Sequence, residues 1–329
     1  MLYIETNSTS PYYNLAFEEY VLTTIGLRQN CFMLWQNDNA IIVGRHQNTV
    51  EEINLPYVQE NNIRVARRLT GGGAVYHDLG NLNFSFITGI NEHRKMDFVQ
   101  LLMPIISALN SIGVCAEFTG RNDIVIGGKK ISGNSQYVYR DRLLHHGTLL
   151  LSSNLRKIAD ALHVPEDKFL SKSAKSVKSR VANINDFLDT PLSMERFKKL
   201  IIASISENET LDFWHPTQAD LEGVQALTDG KYSTWDWNFG KSPKYAINKK
   251  RRIESVGRIE LSMDVANGVI QKIAFSGDYF GSTDSAELSK KLIGCSLAPR
   301  DLEKQISEID PEEYFVGIKR DELLELLLM

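Results

Sequence analysis

Two short stretches of the chain hold residues whose types and spacing suit chemistry. The first, RRLTGGGAVYHDLGN (Arg67 to Asn81), sets three consecutive glycines between an arginine pair and a His-Asp pair. Glycine lacks a Cβ, so a run of it weakens regular structure and lets main-chain N–H groups approach a ligand closely. Beside a guanidinium, whose planar fork suits phosphate or carboxylate oxygens, such a loop would cradle an anion. A tight hairpin between buried strands is the alternative for an isolated glycine triplet. Neither the G-x-x-x-x-G-K-[ST] nor the G-x-G-x-x-G phosphate-loop pattern is satisfied.

The second stretch is GRNDIVIGGKKISGNSQ, residues 120–136. DIVI and KKIS flank Gly127-Gly128, a two-residue hairpin signal because glycine accepts the positive φ angles of the primed turns. With that loop Ile126 faces Lys129, Val125 faces Lys130, Ile124 faces Ile131 and Asp123 faces Ser132. Alternation then puts Asp123, Val125, Lys130 and Ser132 on one face, and Lys129 with Ile124 and Ile126 on the other. Lys130 is therefore the lysine that meets Asp123, as a diagonal neighbour roughly 7–8 Å away. A three-residue loop would reverse the parity, and a plain surface ion pair, worth about 0–1 kcal/mol, is the alternative. Together the stretches suit binding a nucleoside triphosphate and activating a carboxylate as an acyl-adenylate. The lysine would stabilise charge as the carboxylate and α-phosphate approach.

The elements that must position these residues read as an α+β chain. Residues 14–24 have a helical rhythm with Asn14 as N-cap. CFMLWQ and AIIVGR, either side of Asn37-Asp38-Asn39, read as a β-hairpin. LNFSFI alternates as a strand, and FVQLLMPIISALNSIG is a buried helix interrupted by Pro104. No regular βαβ rhythm appears, so a mainly antiparallel sheet flanked by helices is expected.

Composition narrows the class. The 329 residues, 43% hydrophobic and 24% charged, are enough for two domains. The net charge of −4 argues against a general nucleic-acid or membrane-surface binder. Cys31, Cys115 and Cys295 are widely spaced and odd in number, which suits a reducing, cytoplasmic setting better than a disulfide framework. The N-terminus lacks the pattern of a cleaved signal, and the apolar tail LLELLLM is too short to span a bilayer. The histidines show no metal spacing: His145-His146 are adjacent, and His163 reads as a helix end. Lys249-Lys250-Arg251-Arg252 reads as a solvated linker, and Trp235 and Trp237 as a packed hinge. The boundary is placed so that residues 1–243 are catalytic, 244–253 a linker and 254–329 a small α+β accessory domain.

These blocks, in order, resemble the lipoate-protein ligases of the two-domain bacterial type. RRLTGGGAVYHDLGN is similar to that family's Arg-x-Ser-Gly-Gly-Gly-Ala-Val-aromatic-His-Asp-x-Gly-Asn block, and the hairpin stretch to its Gly-Arg-Asn-Asp and Lys-x-Ser-Gly blocks. HHGTLL, SKSAKSVKSRVANI, WDWNFGKSP and GVIQKIAFSGDYFG resemble further segments, so the likeness covers essentially the whole chain. The resemblance implies a catalytic fold like that of biotin ligases and class II aminoacyl-tRNA synthetases.

It also implies roles. Arg68 and Gly73, Ala74, Val75 and Tyr76 would hold ATP, with Thr70 in place of the usual serine. Lys130 would contact both lipoate carboxylate and α-phosphate. Asp123, with Asn122, would orient that lysine or hold Mg²⁺. Gly72, His77, Asn81 and Arg68 would line the lipoate site, Gly44 to Asn48 would lie near its apolar slot, and Gly133 and Asn134 would sit in a mobile adenylate loop. The run Lys172, Lys175, Lys178 and Arg180 would close over the adenylate, meet an acidic acceptor, or form a solvated helix. Acceptors would be the lipoyl domains of dehydrogenase acyltransferase subunits or the glycine-cleavage H protein, and the accessory domain would swing as the adenylate forms. Competing readings are an acyl-carrier-dependent octanoyl or lipoyl transferase, a biotin ligase and a noncatalytic lipoate-binding protein. The transferase needs a nucleophilic cysteine after the hairpin, and none lies between Cys115 and Cys295.

Overall fold

The structure is a computed structural model describing residues 1–329 apart from 48, 91–97, 120–121, 163–180, 208, 240–246, 267 and 329. His163 and the basic run from Lys172 to Arg180 thus lie outside the described residues. In chain order the strands are β1 (Leu2–Glu5), β2 (Cys31–Trp35), β3 (Ala40–Val43), β4 (Arg64–Arg67), β5 (Val75–His77), β6 (Asn81–Gly89) and β7 (Ala116–Thr119). They continue with β8 (Asp123–Ile126), β9 (Lys129–Tyr139), β10 (Arg142–Leu150), β11 (Asp212–Phe213), β12 (Ile247–Ile253), β13 (Gly257–Ala266) and β14 (Val269–Gly277).

Eight strands form one sheet in the order β11-β1-β2-β6-β10-β9-β8-β7, antiparallel except where β1 meets β2 and β11. Alternation in β6 explains how this sheet holds a core and a site at once. Leu82, Phe84 and Phe86 point into a core completed by the helices Val99–Ser111 and Met194–Ser206, while Asn81, Asn83 and Ser85 face the other way. The opposite face is covered by the helix Pro11–Thr23 and by a small sheet ordered β4-β3-β5. This α+β architecture agrees with the expected class.

Two local expectations are corrected. β2 and β3 are not a hairpin: β2 pairs with β1 and β6, whereas β3 pairs with β4 and β5. The chain turns a corner between sheets at Asn39, which takes a φ of 46°. Asn14 is not an N-cap, because the helix starts at Pro11 after Ser10. Its buried amide instead bonds the carbonyls of Ser8 and Gln36.

Residues 247–327 build a second core around the antiparallel sheet β12-β13-β14 and the helices Ser285–Leu292, Pro299–Ser307 and Arg320–Leu328. Lys249 to Arg252, expected in a linker, are in β12 and pair along β13. A basic edge strand of this kind discourages pairing with another sheet.

Candidate active site

The glycine loop is held by the buried Arg68. Arg68 Nε donates to Thr70 Oγ1 (3.0 Å) and the Gly71 carbonyl (3.2 Å), Nη1 to the Ile42 carbonyl (3.0 Å), and Nη2 to the Gly71 (2.7 Å) and Gly73 (2.8 Å) carbonyls. Burial pushes this guanidinium down to about 9, with Glu18 partly opposing the shift. Arg68 lines the cavity, but its fork is committed to shaping the loop. Arg67 does the same for the preceding segment, donating to the carbonyls of Gly44 (2.8 Å), Arg45 (3.0 Å), Gln47 (2.8 Å) and Trp237 (3.0 Å). Trp237 returns a bond from its indole to the Arg67 carbonyl at 2.9 Å, while Trp235 is exposed.

Only glycine allows this packing. A Cβ on Gly44 would lie 1.9 Å from the Gly72 carbonyl, and one on Gly71 would lie 2.4 Å from the Tyr279 carbonyl. Gly72 takes a φ of 87° and donates its N–H to Tyr279 at 3.2 Å. The C-terminal unit therefore rests on the loop. Further contacts are the Gly277 N–H to the His46 carbonyl (2.7 Å), Arg45 with Asp284 (2.7 Å), Arg258 with Glu52, and the His46 ring stacked on Tyr279.

On the facing hairpin, Gly127 and Gly128 have φ values of 56° and 75°, as the two-residue turn requires. Ile126 pairs with Lys129 and Val125 with Lys130, as read from sequence. Beyond them a β-bulge shifts the register, so that Ile124 faces Ser132 and Asp123 faces Gly133, one residue further along than expected. Ile131 is the extra residue; it is fully buried in the core among Ile124 and Ile126. Lys130 Nζ meets Asp123 Oδ1 at 2.6 Å, with both side chains about a third exposed on the cavity face. Lys129 is exposed.

Gly133 and Asn134, expected in an adenylate loop, pair within β9, opposite Asp123 and Gly147. Asn134 is buried and its amide donates to the Asn122 carbonyl at 3.0 Å. Gly147 makes the room, since a Cβ there would lie 2.1 Å from Asn134 Oδ1.

Arg68, Gly72 to His77, Asn81, Asp123, Lys130, Gly133 and Asn134 all line one cavity of about 1000 Å³. Sequence reasoning missed several neighbours. Glu18 accepts from Ser85 Oγ (2.5 Å) and lies 3.0 Å from His146 Nδ1, while His146 Nε2 lies 2.8 Å from Thr70 Oγ1. This buried carboxylate–imidazole–hydroxyl chain ties the first helix to the glycine loop. The helix carries two adjacent carboxylates, Glu18 and Glu19, and nothing in its sequence singles out Glu18 as the buried one. Trp35, Asn83, Arg252, Arg258, Asp278 and Phe280 also line the cavity, the last four from the C-terminal unit. His77 is buried, and burial drives its pKa down to about 3, with Arg68 and His146 adding to the shift. Among the described residues no group of three His, Cys, Asp or Glu is placed to hold a metal ion.

A large, partly open cavity with the glycine loop on one wall and a lysine on the other suits an enzyme that brings two substrates together. The lipoyl protein ligase A/B catalytic domain matches residues 10–206, and the bacterial lipoate protein ligase C-terminus matches residues 242–327. Lipoate–protein ligase 1 of Staphylococcus aureus is 43% identical over 99% of this chain and 100% of its own. A solved bipartite lipoate protein ligase of Thermoplasma acidophilum, described with its E2 lipoyl domain, is 33% identical with a TM-score of 0.64, covering 75% of this chain and 98% of that one. A lipoate-protein ligase A bound with ATP is 30% identical with a TM-score of 0.62, covering 73% and 97%. The chain belongs to the lipoate-protein ligase family.

Proposed function

We propose that this chain activates free lipoate with ATP and transfers the lipoyl group to a lysine of a lipoyl-acceptor domain. One observation carries the assignment of roles: Lys130 Nζ, 2.6 Å from Asp123, opens onto the same cavity as the glycine loop. In the first step a lipoate carboxylate oxygen attacks the α-phosphorus of ATP, forming lipoyl-AMP and releasing pyrophosphate. Lys130 neutralises charge between the two reacting groups, leaving Asp123 as its partner in the free enzyme. In the second step the neutral ε-amine of the acceptor lysine attacks the mixed anhydride, forming the amide and releasing AMP and a proton.

The backbone from Gly73 to Tyr76 holds the nucleotide, and Arg68 acts by fixing that loop. Gly72, His77 and Asn81 line the acyl side. A Cβ at Gly73 would meet nothing among the described residues within 4 Å, so this part of the loop is open to a ligand. Asp123 would be the carboxylate for Mg²⁺, whose remaining ligands would be phosphate oxygens and water, in keeping with a cation that needs only one or two carboxylates. Bound there, it would neutralise phosphate charge.

Residues 1–243 would form the catalytic domain and the remainder the accessory domain, with the first accessory strand starting at Ile247. The acceptors are the lipoyl domains of dehydrogenase acyltransferase subunits or the glycine-cleavage H protein, a reading the E2 lipoyl domain of the archaeal relative supports. Among the described residues no helix is long and apolar enough to cross a membrane, and the three free cysteines support a cytoplasmic setting.

The test is intact-mass analysis of an acceptor domain incubated with the protein, lipoate and Mg-ATP. A single lipoyl increment that disappears when the acceptor lysine is replaced by arginine is expected. ATP consumption without any increment on either acceptor class would overturn the transfer step.

A further inference from the structure

His77 Nε2 is a buried ring nitrogen without a protein partner among the described residues, on a side chain that lines the cavity. Its other nitrogen, Nδ1, lies 3.1 Å from Asn37 Nδ2. Which nitrogen carries the proton follows from a chain of fixed orientations that begins in the first helix. Asn14 Nδ2 lies 3.0 Å from the Ser8 carbonyl and 2.8 Å from the Gln36 carbonyl. Carbonyls only accept, so the nitrogen of this amide must face them. The same nitrogen lies 2.9 Å from Asn37 Oδ1. Reversing Asn37 would set two NH₂ groups against each other, so its oxygen stays with Asn14 and its nitrogen faces His77. An amide nitrogen only donates; His77 Nδ1 must accept, and the ring proton belongs on Nε2.

We propose that Asn14 and Asn37 are positioning residues that lock His77 as a neutral Nε2–H donor, and that this donor takes an anionic oxygen of the substrates, either the acid's carboxylate or the nucleotide's α-phosphate. The proposal rests on reading the cavity as an acyl-adenylate site. Burial keeps the imidazole neutral across the working pH range, so it donates without adding a charge. Nearby on β6, Asn81 Oδ1 and Asn83 Nδ2 are also buried without partners among the described residues and line the same cavity, so the floor is polar where a ligand would satisfy it.

Long-range ¹H–¹⁵N NMR of histidine-labelled, ligand-free protein reads the tautomer without any activity. The His77 signals, assigned by their loss in His77→Gln, should show a pyridine-like Nδ1 and a pyrrole-like Nε2. A pyrrole-like Nδ1 would overturn the positioning chain, whatever the enzyme does. Asn37→Ala should mix the two tautomers; an unchanged spectrum would remove Asn37 from the mechanism. Adding lipoate alone should move the Nε2–H resonance downfield if the partner is the carboxylate, and adding AMP alone should do so if it is the phosphate. No movement with either, or with both, would refute the donor role.

Pyrophosphate exchange adds a second reading. His77→Gln sets an amide nitrogen near the Nε2 position and should keep most activity. His77→Asn reaches only the Nδ1 position and should lose roughly 10- to 100-fold, the usual range for a hydrogen bond to a charged partner. Equal losses in both variants would mark His77 as structural. If wild-type exchange shows no dependence on lipoate, it is the functional reading that fails, and the tautomer result stands separately.

Discussion

The glycine loop and the lysine hairpin face each other across one cavity but are held in opposite ways. Both arginines of the loop are buried and use their donors on main-chain carbonyls, so the cradle is shaped before any ligand arrives. The hairpin lysine is about a third exposed and, among the described residues, has one carboxylate partner, Asp123, of similar exposure. A fixed wall positions, and a lightly held cation follows charge as it develops. The difference separates arginines whose donors are spent on architecture from a lysine that opens onto the cavity, where the chemistry proposed above would place it.

Breaking either side should therefore produce a different kind of loss. Lys130→Ala should lower adenylation on the order of 10²–10³-fold, the range for losing a preorganised charge-stabilising donor, with an unchanged melting temperature. Arg68→Met should instead unfold the protein more easily, by about 2–4 kcal/mol in denaturant titration, because the carbonyls of Ile42, Gly71 and Gly73 would lose their donor.

Acid should weaken the loop side as well. Burial holds His77 at about 3 and His46 at about 4, below the ordinary value of about 6.5. The unfolded chain takes up these protons first, so their contribution to stability is full above pH 6.5 and falls as the pH drops toward 4 and then 3. Melting temperatures followed from pH 7.5 downward should decline through that window, and His77→Gln should flatten the decline. The smallest effect is expected at Lys129, which is exposed: Lys129→Ala should change exchange by less than about twofold, and a loss matching that of Lys130→Ala would break the comparison.

Much of this was legible in the sequence where period and turn chemistry decide the outcome. Gly127-Gly128 announced the hairpin, and alternation in LNFSFI separated the core from the cavity face. The bulge at Ile131 was not legible, since it arises when a buried isoleucine takes an extra place in the ladder. It nevertheless left Lys130 beside Asp123. The pairing of β2 and β3 with different sheets depends on partners distant in sequence, which an Asn-rich turn does not reveal. The Glu18–His146–Thr70 chain joins three separate segments, so only the fold brings it together. The contacts of Tyr279 and Phe280 with the glycine loop were hidden for the same reason.

The central claim is that this cavity activates lipoate through an adenylate. ATP–pyrophosphate exchange measured side by side with lipoate, octanoate and biotin tests it without needing any acceptor. Exchange that depends on lipoate and is absent with biotin is the predicted result. Folded protein with Mg²⁺ that exchanges with none of the three acids would contradict it.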